Sequence, residues 1–251
     1  MTWVDAILEF IPTAVLWIGH VDGGEPLSVV AVRGPVTLSA ELNAREQLAA
    51  KAEKVRLLLL LAVRRDQPMA VSDTWQQISD PTTLGGVSFS QSVVMPTADA
   101  LVDEDLDEIS RWSDLIENRY DSSLDLAVRR TLSSIASRPE PGDALVDAVI
   151  ALESLFGTGS GEIAFRVSAA VAWLLESDPV RRQARHGEVN KLYGLRSDVV
   201  HGKHVNQTKL YSSRLAASQL ATDCLRKLLS DRPELIGAGN TRGKNLILQA
   251  A

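Results

Sequence analysis

The chain has 251 residues, of which 45% are hydrophobic and 23% are charged, and its formal net charge is −6. This composition is typical of a folded globular protein and excludes a long disordered chain, a collagen-like repeat and a disulfide-stabilised miniprotein. Because Cys224 is the single cysteine, an intrachain disulfide and every zinc site built on paired cysteines are excluded as well.

The sequence predicts neither a membrane span nor a secretory signal. Its longest purely apolar run is Leu57–Val63, whereas a spanning helix needs about 20 such residues. The apolar stretch at the N-terminus contains Asp5 and Glu9 and follows no basic residue, unlike a signal peptide. We therefore expect a cytoplasmic protein without a membrane partner.

Residues 1–100 predict a small α+β region whose function the sequence leaves open. Ala14–Ile18 and Leu27–Val32 are short β-rich runs on either side of a glycine turn, and Gly86–Met95 returns to strand character. Between them, Asn43–Val63 is rich in Ala, Leu, Glu and Lys, which indicates a helix.

Helical spacing dominates from residue 103 onward. Asp178 before Pro179 is typical of a helix start, and Gly202 marks a stop. The predicted helices are 103–118, 121–136, 141–156, 161–176, 179–200 and 207–229. We predict a mainly α protein in which residues 101–230 form an antiparallel helical bundle and residues 231–251 form a loose C-terminal tail.

Charge is distributed unevenly along the bundle. Residues 101–125 contain nine acids and two bases, whereas residues 179–214 contain eight bases and two acids. A local surplus of positive charge attracts a phosphate backbone even on an acidic protein. A solvated helix face, balanced by the acidic segment, is the alternative.

Arg196 lies on the apolar stripe of its predicted helix, together with Val189 and Tyr193. A buried guanidinium needs a partner, because an unpaired buried charge is very costly. Glu153 and Arg166 border the apolar stripes of two neighbouring helices. The three charged residues therefore predict either a shared polar site or a structural ion-pair network, with Glu153 as the expected partner of Arg196.

His201 follows Arg196 by five residues, and this pair suits phosphoryl transfer. An imidazole moves protons near neutral pH, and a guanidinium holds a phosphate. A separation of five places two helical side chains about 140° apart. The pair therefore serves one site only if the helix ends near Gly202 or if two chains contribute. Arg181 and His186 repeat the spacing, so the spacing alone is weak.

Three segments, in order, carry a resemblance to a known family: Ala151–Phe156, then Arg166, then Tyr193–Gly202. Together they resemble the HEPN superfamily, and within it the Apea-like branch. The signature of that family is an arginine, four to six residues and a histidine, which Arg196 and His201 match. The Tyr-x-x-Arg-Ser sequence before the histidine and the glycine after it single out this pair.

The resemblance covers about residues 120–230 and implies a homodimer that sets two Arg–His motifs side by side. Many relatives are metal-independent endoribonucleases of defence or toxin–antitoxin systems, in which the 2′-hydroxyl attacks the adjacent phosphate. On this basis we expect RNA as substrate, an antitoxin or regulatory protein as a further partner, and no cofactor.

The resemblance also implies residue roles. His201 would be the general acid and base, Arg196 would hold the scissile phosphate, and Ser197 or Asp198 would orient them. The side chains that would support the site are Glu153, Arg166 and Tyr193. The basic residues predicted to bind RNA are Arg181, Arg182, Arg185 and Lys203.

Two other interpretations stay open. Some relatives are non-catalytic, so the chain is alternatively a module that binds a nucleotide, RNA or a protein partner. A purely structural bundle would instead bury an Arg196–Glu153 ion pair. A metal shared by His186, His201 and His204 is disfavoured, because no carboxylate has a suitable spacing.

Overall fold

The computed structural model of the chain describes residues 53–64, 102–157 and 162–248, and in addition the backbone of four short strands. The strands are β1 (Thr13–Ile18), β2 (Ser28–Arg33), β3 (Asp73–Gln77) and β4 (Val87–Gln91). They form one antiparallel sheet in the order β2-β1-β3-β4.

The described residues are otherwise dominated by helices. These are α1 (53–62), α2 (Asp103–Arg119), α3 (Asp125–Ala136), α4 (Pro141–Phe156), α5 (Ile163–Leu175), α6 (Pro179–Val200), α7 (Gln207–Asp231) and α8 (Arg242–Leu248). Two 3₁₀ segments, Ser122–Leu124 and Pro233–Thr241, precede α3 and α8. The mainly α class and the helical bundle are therefore confirmed.

The predicted helix boundaries agree best with the structure where a capping residue or a proline marks the end of the helix. Helices α4 and α6 match the predicted bounds, and α2, α5 and α7 agree within two residues. The predicted strands overlap β1, β2 and β4. The sequence does not predict β3, because Asp73–Gln77 is polar apart from one tryptophan and lacks apolar alternation. Residues 43–52 of the predicted helix 43–63 lie outside the described residues.

Helix α4 lies at the centre of the bundle. It begins with Pro141 at its first position, where the missing N–H costs nothing, and it is apolar on almost every side. Nine of its residues are buried, and it packs against α3, α5, α6, α7 and α8. The position of every neighbouring helix therefore depends on α4.

The predicted loose tail is wrong for residues 231–248, which fold against the bundle. The Arg242 side chain is fully buried, and its guanidinium donates to the carbonyl oxygens of Leu155 (3.1 Å), Leu235 (2.8 Å) and Ile236 (2.6 Å) and to the Ser123 hydroxyl (2.9 Å). Leu155 and Ser123 are distant from Arg242 in sequence, and the segment that contains Leu235 and Ile236 has no apolar periodicity. A local sequence pattern therefore does not reveal these contacts. Residues 249–251 lie outside the described residues.

The start of α8 also touches the end of α4 through a glycine. A Cβ atom at Gly243 would lie 2.5 Å from the backbone oxygen of Phe156, closer than real Cβ contacts come. Glycine at this position lets the two backbones approach. The close approach and the buried guanidinium together fix α8 on α4.

We predict that Arg242→Met lowers the free energy of unfolding by about 3 kcal/mol or more, because buried carbonyls lose a charged donor that nothing replaces. The matched control is Arg232→Met in the same segment, where a half-exposed guanidinium pairs with Glu234. That change should cost less than about 1 kcal/mol. Urea unfolding followed by circular dichroism measures both, and equal losses would contradict this account of Arg242.

Candidate functional site

Helix α6 carries the predicted Arg–His motif on a rigid support. At its start, the Asp178 carboxylate accepts a hydrogen bond from the backbone N–H of Arg181 (2.9 Å), and Pro179 occupies the first helical position. At its far end, the helix ends at Val200, as predicted. His201 is therefore held at the end of a well-defined element.

The end of α6 is a Schellman motif. The N–H of Gly202 donates to the carbonyl of Val199 (3.0 Å), and the N–H of Lys203 donates to the carbonyl of Asp198 (2.9 Å). Gly202 has a φ of 68°, a left-handed conformation that glycine adopts without strain. The chain turns away from the helix at this point, and the His201 side chain is exposed.

Arg196 points towards the bundle, as its place on the apolar stripe predicts. Its side chain is half-buried, and its Nε is buried with no hydrogen-bond partner among the residues that the structure describes. The predicted ion pair with Glu153 is not formed, since no N···O distance of 4.0 Å or less joins these two described side chains. The purely structural interpretation of Arg196 therefore loses its expected partner.

Tyr193 lies near both Glu153 and Arg196. Its buried hydroxyl approaches the Glu153 carboxylate, although outside ordinary hydrogen-bond geometry. Burial raises the pKa of Tyr193, the charge of Glu153 and its polar contact with the hydroxyl raise it further, and the charge of Arg196 opposes these effects. The structure thus brings three predicted site residues together. The Arg196 Nε is a buried donor without an acceptor among the described residues, and the Tyr193 hydroxyl faces the Glu153 carboxylate.

The remaining predicted site residues are placed less closely. Arg166 is half-buried on α5, on the helix that packs along α6. The carbonyl of Ser197 accepts the His201 N–H (3.0 Å). The Asp198 carboxylate forms an ion pair with Lys203 (2.8 Å), and hydrogen bonding from Lys203 lowers the pKa of Asp198. Asp198 is therefore paired with a predicted RNA-binding residue rather than with Arg196 or His201.

The other predicted RNA-binding residues lie at the opposite end of α6. Arg185 precedes His201 by sixteen residues, which is about 24 Å along a helix. It pairs with Glu176 (2.8 Å) and Glu188 (2.7 Å). Arg182 donates to the carbonyls of Glu176 and Ser177 and stacks on Trp173 at 3.7 Å. Of these residues, Arg181 is exposed, and the basic surplus does not form one free patch around His201.

His186 does not cluster with His201 and His204, the other two histidines considered for a metal site. His186 is half-buried, contacts the Phe165 ring edge-on and lies against the amide of Asn190. It precedes His201 by fifteen residues on the same helix, about 22 Å away. Among the described side chains, no three His, Cys, Asp or Glu residues lie close enough together to hold a metal ion.

The sequence-based prediction missed a charged cluster at the corner between α3 and α4. The Asp147 carboxylate is buried and accepts hydrogen bonds from Arg130 (2.6 Å), Arg138 (2.7 Å) and the hydroxyl of Ser133 (2.7 Å). Burial opposes ionisation, but the hydrogen bonds from Arg138, Ser133 and Arg130 together hold the pKa of Asp147 below its ordinary value. Asp147 is the single charged residue in the run Ala144–Leu152, and this position among apolar residues is the signal that could have indicated the cluster.

Comparison with protein-family models, with curated proteins and with solved structures gives no match. Among the helices that the structure describes, none has the length and apolar character that crossing a membrane requires.

We predict opposite stability effects for two alanine substitutions in this segment. Gly202→Ala should lower the free energy of unfolding by about 1–2 kcal/mol, because its φ is left-handed although the space around it is open. Gly194→Ala, within α6 and also facing open space, should raise it by up to about 1 kcal/mol. Thermal or urea unfolding checks both, and stabilisation by Gly202→Ala would argue against the Schellman ending.

Proposed function

We propose that the protein is a cytoplasmic, homodimeric, metal-independent endoribonuclease of the HEPN type, acting through Arg196 and His201. The observation that carries the proposal is that one helix end presents an exposed imidazole, His201, and, five residues earlier, a half-buried guanidinium whose buried Nε has no acceptor among the described residues. The resemblance of about residues 120–230 to that family supports it. A defence or toxin–antitoxin context, with a regulatory protein partner, follows from the resemblance alone.

The proposed reaction is transesterification. A neutral imidazole accepts the proton of the 2′-hydroxyl, whose oxygen then attacks the adjacent phosphorus. The bond from phosphorus to the 5′-oxygen breaks, and an imidazolium donates a proton to that oxygen. The products are a 2′,3′-cyclic phosphate and a 5′-hydroxyl, and no oxidant, reductant or metal is needed. A guanidinium stabilises the charge that develops on the phosphate oxygens.

The divergence of the two side chains supports a dimeric site. Arg196 points into the bundle, whereas His201 lies exposed at the helix end. Two chains that meet at these segments would supply two imidazoles, one to accept a proton and one to donate it. In such a dimer, exposed Val200 would become part of the interface.

A second candidate function is a non-catalytic module that binds RNA, a nucleotide or a protein partner. The internal pairing of Arg182, Arg185 and Lys203 favours the protein-binding form of this module over RNA binding, because these cations are engaged within the chain. Residues 1–100 would then serve partner binding. Cleavage assays separate the two candidates.

We predict that His201→Ala reduces RNA cleavage by about 10²–10⁴-fold, because the general acid and base is lost. The fold should be kept, because the exposed His201 side chain makes few packing contacts. His204→Ala is the matched control, since that histidine is also exposed three residues further on and should retain activity. Wild-type cleavage should persist in EDTA and yield cyclic phosphates. The assay uses purified protein and a broad RNA panel.

Arg196→Ala should also abolish cleavage, but its effect on stability should stay within about 1 kcal/mol, because no buried partner loses its ion pair. Nuclease function is wrong if the wild type cuts no RNA or if His201→Ala cuts as well as the wild type. The non-catalytic module then takes its place.

The dimer is tested separately. We predict light scattering at twice the chain mass of 27.2 kDa and an interface of about 1,200 Å² or more. Val200→Asp should yield monomers and lose cleavage, since a charge would be buried next to His201. Val180→Asp, at a more exposed valine near the other end of α6, should remain dimeric and active. A wild-type monomer at micromolar concentration would contradict the dimeric site.

A further inference from the structure

The cluster around Asp147 presents two arginines in fixed positions. The Asp147 side chain is 3% exposed, whereas the side chains of Arg130 and Arg138 are 37% and 42% exposed. A buried carboxylate needs compensating partners, and each arginine binds a different carboxylate oxygen. Both guanidinium groups are therefore anchored at one edge and open to solvent at the other.

Each arginine keeps donors that the described chain does not use. Arg130 binds Asp147 through Nη1 only, and Arg138 binds it through Nε only. The remaining N–H groups have no acceptor among the described residues. The three side chains together carry one net positive charge, which the nearby Asp143 offsets through its electrostatic action on Arg138. A guanidinium with two free N–H groups matches the geometry of a phosphate.

The cluster lies at the same end of the bundle as His201. Residues 137–140 connect α3 to α4, and a Cβ at Gly142, near the start of α4, would lie 3.1 Å from Val199 Cγ1 on α6. His201 follows Val199 by two residues. Helix α7 reaches the same end, where Arg214 donates to the carbonyls of Ser134 and Ile135 near the end of α3.

We propose that Arg130 and Arg138, braced by Asp147, bind a backbone phosphate of single-stranded RNA at the end of the bundle that carries His201. This inference rests on the proposed function, and it moves the RNA-binding surface from the start of α6 to the corner between α3 and α4. Bracing by a buried carboxylate keeps the two guanidinium groups oriented before RNA arrives, so less side-chain entropy is lost on binding.

The test measures binding of a fluorescein-labelled single-stranded RNA carrying 2′-O-methyl groups, which block cleavage by the 2′-oxygen. Fluorescence anisotropy over a range of salt concentrations gives the Kd and its salt dependence. Arg138→Gln and Arg130→Gln should each raise the Kd roughly tenfold and reduce the slope of log K against log salt by about 1. Arg129→Gln, which removes the same charge from an exposed position on the same helix, should change neither.

A second variant separates binding from folding. Arg138→Lys keeps a cation for Asp147 but removes the free pair of N–H groups. This variant should therefore fold like the wild type and yet bind RNA more weakly. A purely structural cluster would lower the melting temperature of the glutamine variants and leave the Kd and salt slope of the folded protein unchanged. That result would overturn the inference.

The outcomes also separate this inference from the proposed function. If the wild type cleaves unmodified RNA and Arg138→Gln binds RNA as tightly as the wild type, the phosphate site is wrong and the nuclease stands. If the wild type binds RNA through Arg130 and Arg138 but cleaves none, the phosphate site stands and the nuclease is wrong. Absence of RNA binding by the wild type overturns both.

Discussion

Arginines that cap the carboxyl ends of distant helices hold the bundle together. The last carbonyl groups of a helix have no partner within it and carry the negative end of its dipole. In the part of the chain that the structure describes, five helix ends receive a guanidinium from another element: α1 from Arg226, α3 from Arg214, α4 from Arg242, α5 from Arg182 and α7 from Arg119. Each contact fixes where one helix ends relative to another, which apolar packing alone does not specify.

Helix α6 ends differently, and the candidate site depends on that difference. Its last carbonyls are satisfied by its own following backbone through Gly202, without a guanidinium from another helix among the described residues. Among the described residues, no guanidinium from another helix therefore covers the end where His201 is exposed. Arg196, one and a half turns earlier, faces the bundle with a donor unused. A buried donor without an acceptor is a cost to folding, and such costs are common where a ligand later supplies the acceptor.

Local signals predict the helices well and the long-range polar contacts poorly. The bounds of α4 and α6 follow from Pro141, from Asp178 with Pro179, and from Gly202, because caps act within one turn. The burial of Arg196 also follows from periodicity. The absence of an Arg196–Glu153 ion pair cannot be predicted from periodicity, because the distance between the two side chains depends on the angle at which α4 and α6 cross. Likewise, charge counting along residues 179–214 does not show that Arg185 is neutralised by Glu176 on another element.

The buried guanidinium of Arg242 also has a consequence for the order of folding. Its contacts to Leu155 and Ser123 span 87 and 119 residues. Contacts between residues so far apart in sequence form late, because long loops must close before the contact contributes. Helical hairpins such as α3–α4 and α5–α6 need only local closure, so they precede α8. During synthesis the carboxyl end of α4, at the centre of the bundle, therefore lacks this cap until residue 242 has emerged from the ribosome.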